Sequence, residues 1–143
     1  MQVPHNSVIL VADGRKSLFF RNEGGADALN LSVLEKDDHP NPAHHEQASD
    51  LAGRASGTLG SSMEEVDFHQ QEEDRFASEM AGMLNERALR NEFDALVVVA
   101  PPRTLGELRK HYHSEVEKRL VAELPKDLVN MPVPEIEKIL QDA

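Results

Sequence analysis

Cysteine and tryptophan are both absent, tyrosine occurs once, and aromatic residues make up only 4% of the chain. Without Cys there is no disulfide, no thiolate nucleophile and no Cys-based zinc site, and a reducing compartment suits the protein. Positive charge is also scarce: 15 Lys and Arg stand against 26 Asp and Glu, a formal net charge of −11. That balance opposes broad binding to phosphate backbones, so any contact with nucleic acid must be made locally. Long apolar runs are missing too. The longest, Val8 to Ala12 and Ala95 to Ala100, fall far short of the ~20 residues that a membrane span needs. The opening Met-Gln-Val-Pro-His-Asn-Ser has neither the basic flank nor the apolar core of a signal peptide, so a cytoplasmic protein without membrane insertion is expected. What is present is enough for one domain over residues 1–143. Its 39% of hydrophobic residues are gathered into runs rather than diluted as in a disordered chain.

The runs read as strands and helices in a definite order. Val8 to Ala12 is apolar on both parities, as in a strand covered on both faces. Asp13-Gly14 suits a tight hairpin turn, after which Lys16 to Arg21 forms a second strand around Leu18, Phe19 and Phe20. Beyond Glu23-Gly24-Gly25, the alternation of Leu29, Leu31 and Val33 with Asn30 and Ser32 predicts a half-exposed edge strand. A segment rich in Gly, Ser, Pro and His then reads as a long loop at about 36–70, uncommon in a compact domain and usually functional. Phe76, Met80, Met83, Leu84 and Ala88 recur at helical spacing and predict a core-facing helix over about 71–91. Ala95 to Ala100 is a second doubly apolar strand. Thr104 and Glu107 have the spacing of a capping box for the next helix, and Ser114 with Glu117 offers another. Leu120, Ala122 and Leu124 alternate as a strand that Pro125 ends, and a last helix starts near Pro134. The pattern β-β-β-α-β-α-β-α, with the doubly apolar strands side by side, predicts an α/β fold. Its five-stranded mixed sheet has the order 3-2-1-4-5, as in ribonuclease H-like folds.

Five blocks stand in order along the chain: Val8-Ile9-Leu10-Val11-Ala12-Asp13-Gly14-Arg15, Ser49-Asp50-Leu51-Ala52-Gly53-Arg54, Glu73-Asp74-Arg75-Phe76-Ala77, the stretch from Leu96 through Ala100-Pro101-Pro102-Arg103-Thr104 to Arg109, and Glu123-Leu124-Pro125-Lys126-Asp127-Leu128. Together they resemble the bacterial host attachment proteins. That family is in turn similar to the middle domain of archaeal and eukaryotic peptide-chain release factors. The resemblance implies a translational or RNA-related ancestry, and the family's name implies a part in attachment to host cells. In release factors the loop before the long helix carries Gly-Gly-Gln. Here that loop holds Gly53-Arg54-Ala55-Ser56-Gly57-Thr58 and, later, His69-Gln70-Gln71, so peptidyl-tRNA hydrolysis by that chemistry is not expected.

No reaction is legible in the residues, and no catalytic residue, metal ligand or cofactor is assigned. Ribonuclease H chemistry needs clustered carboxylates for two metal ions. Asp13 stands where a first ligand would, but the second central strand ends in Ala100-Pro101-Pro102 with no acid to continue the site. His39, His44 and His45 match no metal-ligand spacing, and His111 and His113 diverge by ~200° on a helix. Thr58, Ser61 and Ser62 have no base at a fixed spacing.

Binding is better supported. Arg103 follows a central strand and precedes a helix, at the kind of crevice where parallel sheets hold ligands and helix amides attract anions. Arg109, Lys110, Lys118 and Arg119 make its surroundings basic. The alternative is that Arg103 pairs with Asp13 or Asp127. Asp50 and Arg54, with Gly53 between them, either present a binding surface in the long loop or bridge to each other. The candidate binding residues are therefore Arg54, Arg103, Asp13, Asp50 and Arg109. RNA, tRNA or the ribosome is the expected partner, a protein partner acting in host attachment is the alternative, and an uncharacterised hydrolase is the third reading.

Overall fold

In a computed structural model of the chain, the backbone is described for residues 1–38 and 59–143, and side chains for 1–38 and 67–143. Five strands form a single sheet: β1 (Val8–Ala12), β2 (Lys16–Asn22), β3 (Leu31–Asp38), β4 (Leu96–Ala100) and β5 (Leu120–Pro125). Four helices accompany them among the described residues: α1 (Leu59–Leu89), α2 (Pro102–Arg109), α3 (Ser114–Arg119) and α4 (Val133–Asp142). The strand order is β3-β2-β1-β4-β5, as the apolar runs predict. β1 and β4 lie in the centre because every residue in them is apolar and buried. β2 pairs antiparallel with both β1 and β3, while β4 runs parallel to β1 and β5.

The two faces of the sheet carry separate cores. On one, Val8, Leu10, Phe19 and Val98 meet α1 through Phe76, Met80, Leu84 and Ala88, with Leu105 and Leu108 of α2 and Val116 of α3 beside them. On the other, Ile9, Val11, Phe20, Val97 and Val99 meet only α4, through Ile136 and Leu140, together with Val3, Leu128 and Val129. Among the described residues, three helices thus cover the first face and one short helix the second. Among them, too, nothing covers Val33 and Leu34 of β3 on the outer margin of the sheet, each 45% exposed.

Five details depart from the patterns in the sequence. Helix α1 begins at Leu59, well before residue 71. Its described buried residues begin only at Phe76, so the described stretch before it, from Asp67 to Arg75, shows no buried stripe for a periodicity to reveal. Of the expected loop at about 36–70, residues 36–38 continue β3, 59–70 are helical, and 39–58 lie outside the described residues. Helix α2 starts at Pro102 with Pro101 as its N-cap and no side-chain cap. Thr104 is buried within the first turn, so the expected capping box is not used. Ahead of α3 the cap is His113, not Ser114: its Nδ1 accepts from the Glu115 amide at 3.0 Å. Finally, a shift in the β4–β5 register between Leu96 and Val97 turns Leu120 toward α1 while Leu124 faces α4. The alternation of Leu120, Ala122 and Leu124 is therefore broken.

Candidate functional site

β1, β4 and β5 run in parallel, so the segments leaving them emerge at one edge of the sheet. The β1–β2 hairpin, the start of α2 and the residues after β5 gather there. The hairpin is locked by Asp13, whose Oδ1 accepts from the amides of Arg15 at 2.8 Å and Lys16 at 2.7 Å. A carboxylate next to a turn does this because it replaces the water that those amides would otherwise bind. Asp13 is thus a turn-former and makes no ion pair with Arg103. Helix α1 crosses the same edge: a Cβ on Gly14 would stand 2.7 Å from Cδ of Glu73. Gly14 is what allows Glu73 to lie against the turn.

Three cations at this edge are exposed and make no side-chain hydrogen bond or ion pair with any described residue: Arg15 in the hairpin, Arg103 in the first turn of α2, and Lys126 just after β5. The expected pairing of Arg103 with Asp13 or Asp127 is absent among the described residues. Pro101 also gives α2 no side-chain cap, so the first-turn amides, which start at Arg103 because Pro102 has none, receive no bond from it. Farther along α2, Lys110 donates to Glu107 at 2.7 Å, and that carboxylate holds its ammonium protonated above the usual range. Arg109 is engaged as well, its Nε donating to both oxygens of Glu123 at 3.0 and 3.3 Å.

Of the residues singled out in the sequence, the structure leaves Arg103 available, assigns Asp13 to a turn and holds Arg109 in an ion pair. Asp50 and Arg54 lie outside the described residues, as do His39, His44, His45 and Thr58. Arg15 and Lys126 were not legible, although each belongs to a block quoted above. Their availability depends on what their neighbours bond to, which spacing does not report. Among the described residues no three His, Asp or Glu side chains gather closely enough to hold a metal ion, and no described helix is long and apolar enough to cross a membrane.

A family model described as bacterial archaeo-eukaryotic release factor family 12 matches residues 6–140. The chain belongs to that family. The match spans all five strands and nearly all of α4, so the release-factor relationship extends to the whole described fold. Within this release-factor family member, the hairpin, the Pro-Pro start of α2 and the segment after β5 all fall inside the matched region. The family description speaks of release factors and not of attachment. No curated protein matches the chain.

Proposed function

We propose that the protein is a non-catalytic cytoplasmic module that contacts RNA, in tRNA or in the ribosome, through the carboxyl edge of its sheet. The observation that carries this reading is the state of the basic residues there. Arg15, Arg103 and Lys126 stand exposed without described partners, next to uncapped helix amides, in a chain of net charge −11. Phosphate contact is their natural use: guanidinium groups match phosphate oxygens in a two-pronged fashion. Release-factor ancestry points the same way. The surrounding acidity confines contact to this edge, so local geometry rather than bulk attraction selects the ligand.

The test is sedimentation of the native protein from lysate through a sucrose gradient, with and without ribonuclease. We expect co-migration with ribosomal particles that ribonuclease shifts and that Arg103→Glu combined with Arg15→Glu abolishes. A protein that stays at the top of both gradients, or a double variant that migrates unchanged, overturns the reading. A second reading, a factor acting in attachment to host cells through a protein partner, is favoured by a different feature, the open margin beside β3.

A further inference from the structure

Among the described residues, the face of the sheet covered by α4 is incomplete where Leu18 of β2 meets Val33 and Lys36 of β3. A groove of about 460 Å³ lies there, floored by Leu18, Phe20 and Val33 and walled by Val129, Met131 and Val133. Val33 is 45% exposed and Met131 41% exposed, on opposite sides of it. Leu34, also 45% exposed, is the next residue on the same outermost strand. Exposed apolar surface gathered around a concavity marks a binding surface more than scattered single residues do. Met on the wall suits one, because its unbranched side chain adapts to what it meets.

Charge is sorted along β3 in a way that selects the occupant. Glu35 and Asp37 face the other side of the sheet, where they line a hollow with Phe76 and Met80 of α1, and Glu35 pairs with Arg87. Lys36 faces the groove. On the same side Lys16 stands opposite Asp38 in the β2–β3 register and donates to Asn130 Oδ1 at 3.1 Å. Lys36 has no hydrogen bond or ion pair with a described residue. Among the residues that line the groove, Lys36 carries the one charge, and it is positive in an otherwise acidic protein.

We infer that this groove docks a short segment of a partner protein, in which a bulky apolar side chain lies beside a carboxylate. The apolar side chain fills the space between Val33 and Met131, and the carboxylate meets Lys36. A peptide is favoured over a small molecule because β3 has no neighbouring strand on its outer side among the described residues. Its backbone groups are placed to bond an extended chain. A second copy of this protein is disfavoured, since each copy carries a net charge of −11. The inference does not depend on RNA contact at the carboxyl edge.

The test is panning of a random twelve-residue peptide library on the immobilised full chain, followed by binding measurements on the enriched peptides. We expect enrichment of bulky apolar residues next to Asp or Glu. Those peptides should bind Val33→Asp at least about tenfold more weakly, and panning on Lys36→Glu should enrich Lys or Arg in place of the acid. Met131→Asp, on the opposite wall, should repeat the first loss, and melting curves identify any variant that fails to fold. Three results overturn the inference: no enriched pattern, peptides that bind all variants equally, or a dimer of the wild type that Val33→Asp dissolves. Ribosomal co-sedimentation should be unchanged in Val33→Asp and Lys36→Glu, so failure of either reading is separable from failure of the other.

Discussion

At the amino end of the sheet the side chains of Arg21 and Arg119 close the fold, whereas at the carboxyl end those of Arg15, Arg103 and Lys126 are left over among the described residues. Arg21 reaches the carbonyls of Asn6 at 3.1 Å and Glu92 at 3.2 Å. Arg119 gives Nε to the Phe93 carbonyl, Nη1 to the Glu115 carbonyl and carboxylate, and Nη2 to Asn91 Oδ1, all within 3.0 Å. These contacts satisfy carbonyls where α1 ends and β4 begins, which would otherwise compete for water at a crowded edge. The side chains of Arg15, Arg103 and Lys126 bond to nothing described at the opposite edge. The same residue types therefore act as mortar at one end and as open valence at the other. The proposed contact at the carboxyl edge rests on this difference.

The comparison predicts that the largest effects on stability come from the amino end, and Asn22 should give the largest of all. Fully buried at the end of β2, its Nδ2 donates to the Val3 carbonyl at 3.0 Å, and its Oδ1 accepts from the amides of Gly24 at 3.0 Å and Asn30 at 3.1 Å. Asn22→Leu strands all of these groups away from water, so a loss of about 3 kcal/mol in urea unfolding is expected. Gly24 belongs to the same knot: a Cβ there would stand 2.2 Å from the Ala28 carbonyl oxygen. Retention of near-native stability in Asn22→Leu would show that the amino end is not the tied one.

The next effect separates the two ends directly. Arg119, whose side chain is 14% exposed, should cost about 2 kcal/mol when replaced by Leu, because Phe93 and Asn91 lose their donors. Arg103→Gln should change stability by less than about 0.5 kcal/mol, since it breaks no bond to a described residue. Contact with single-stranded RNA should show the reverse order. Arg103→Gln should lower the slope of log affinity against log salt by about 0.7, and Arg119→Leu should leave that slope alone. Equal effects of the two substitutions on both readouts would erase the distinction.

How much of this was legible follows from what each feature depends on. The sheet order was readable because Val8 to Ala12 and Leu96 to Ala100 are apolar on both parities, and only the centre of a sheet covered on both faces demands that. The early start of α1 was not, because helical spacing appears only where a face is buried, and its described core contacts begin at Phe76. The caps at Pro101 and His113 escaped for a chemical reason. Pro pre-sets the first turn without any side-chain bond, and an imidazole nitrogen can accept the amide hydrogen bond usually assigned to Ser or Thr. Arg103 stood out in the sequence because it follows a central strand. Arg15 and Lys126 needed the structure: being unpaired is a property of the neighbours, which lie far away in sequence.

The smallest expected effect concerns acid, and it tests whether the amino-end ties weaken before the rest. Glu115 bonds Lys118 and Arg119, and these two cations, Lys118 first, hold its carboxyl down to about 2 from an ordinary value of 4.5. A carboxyl whose folded value is depressed favours the native state above its unfolded value, and that contribution fades as pH falls through the window between the two. Urea midpoints of the wild type should therefore exceed those of Glu115→Gln at neutral pH, and the gap should narrow between about pH 4.5 and 2. The gap will be slight, because this exposed carboxylate is screened by water and salt. It should also shrink further in high salt, whereas the deficit of Asn22→Leu, which rests on buried neutral hydrogen bonds, should not. A gap of constant size across that pH window would mean that the Glu115 carboxylate does not take part in tying the amino end, leaving Arg119 to hold it through the carbonyls of Phe93 and Glu115 and through Asn91.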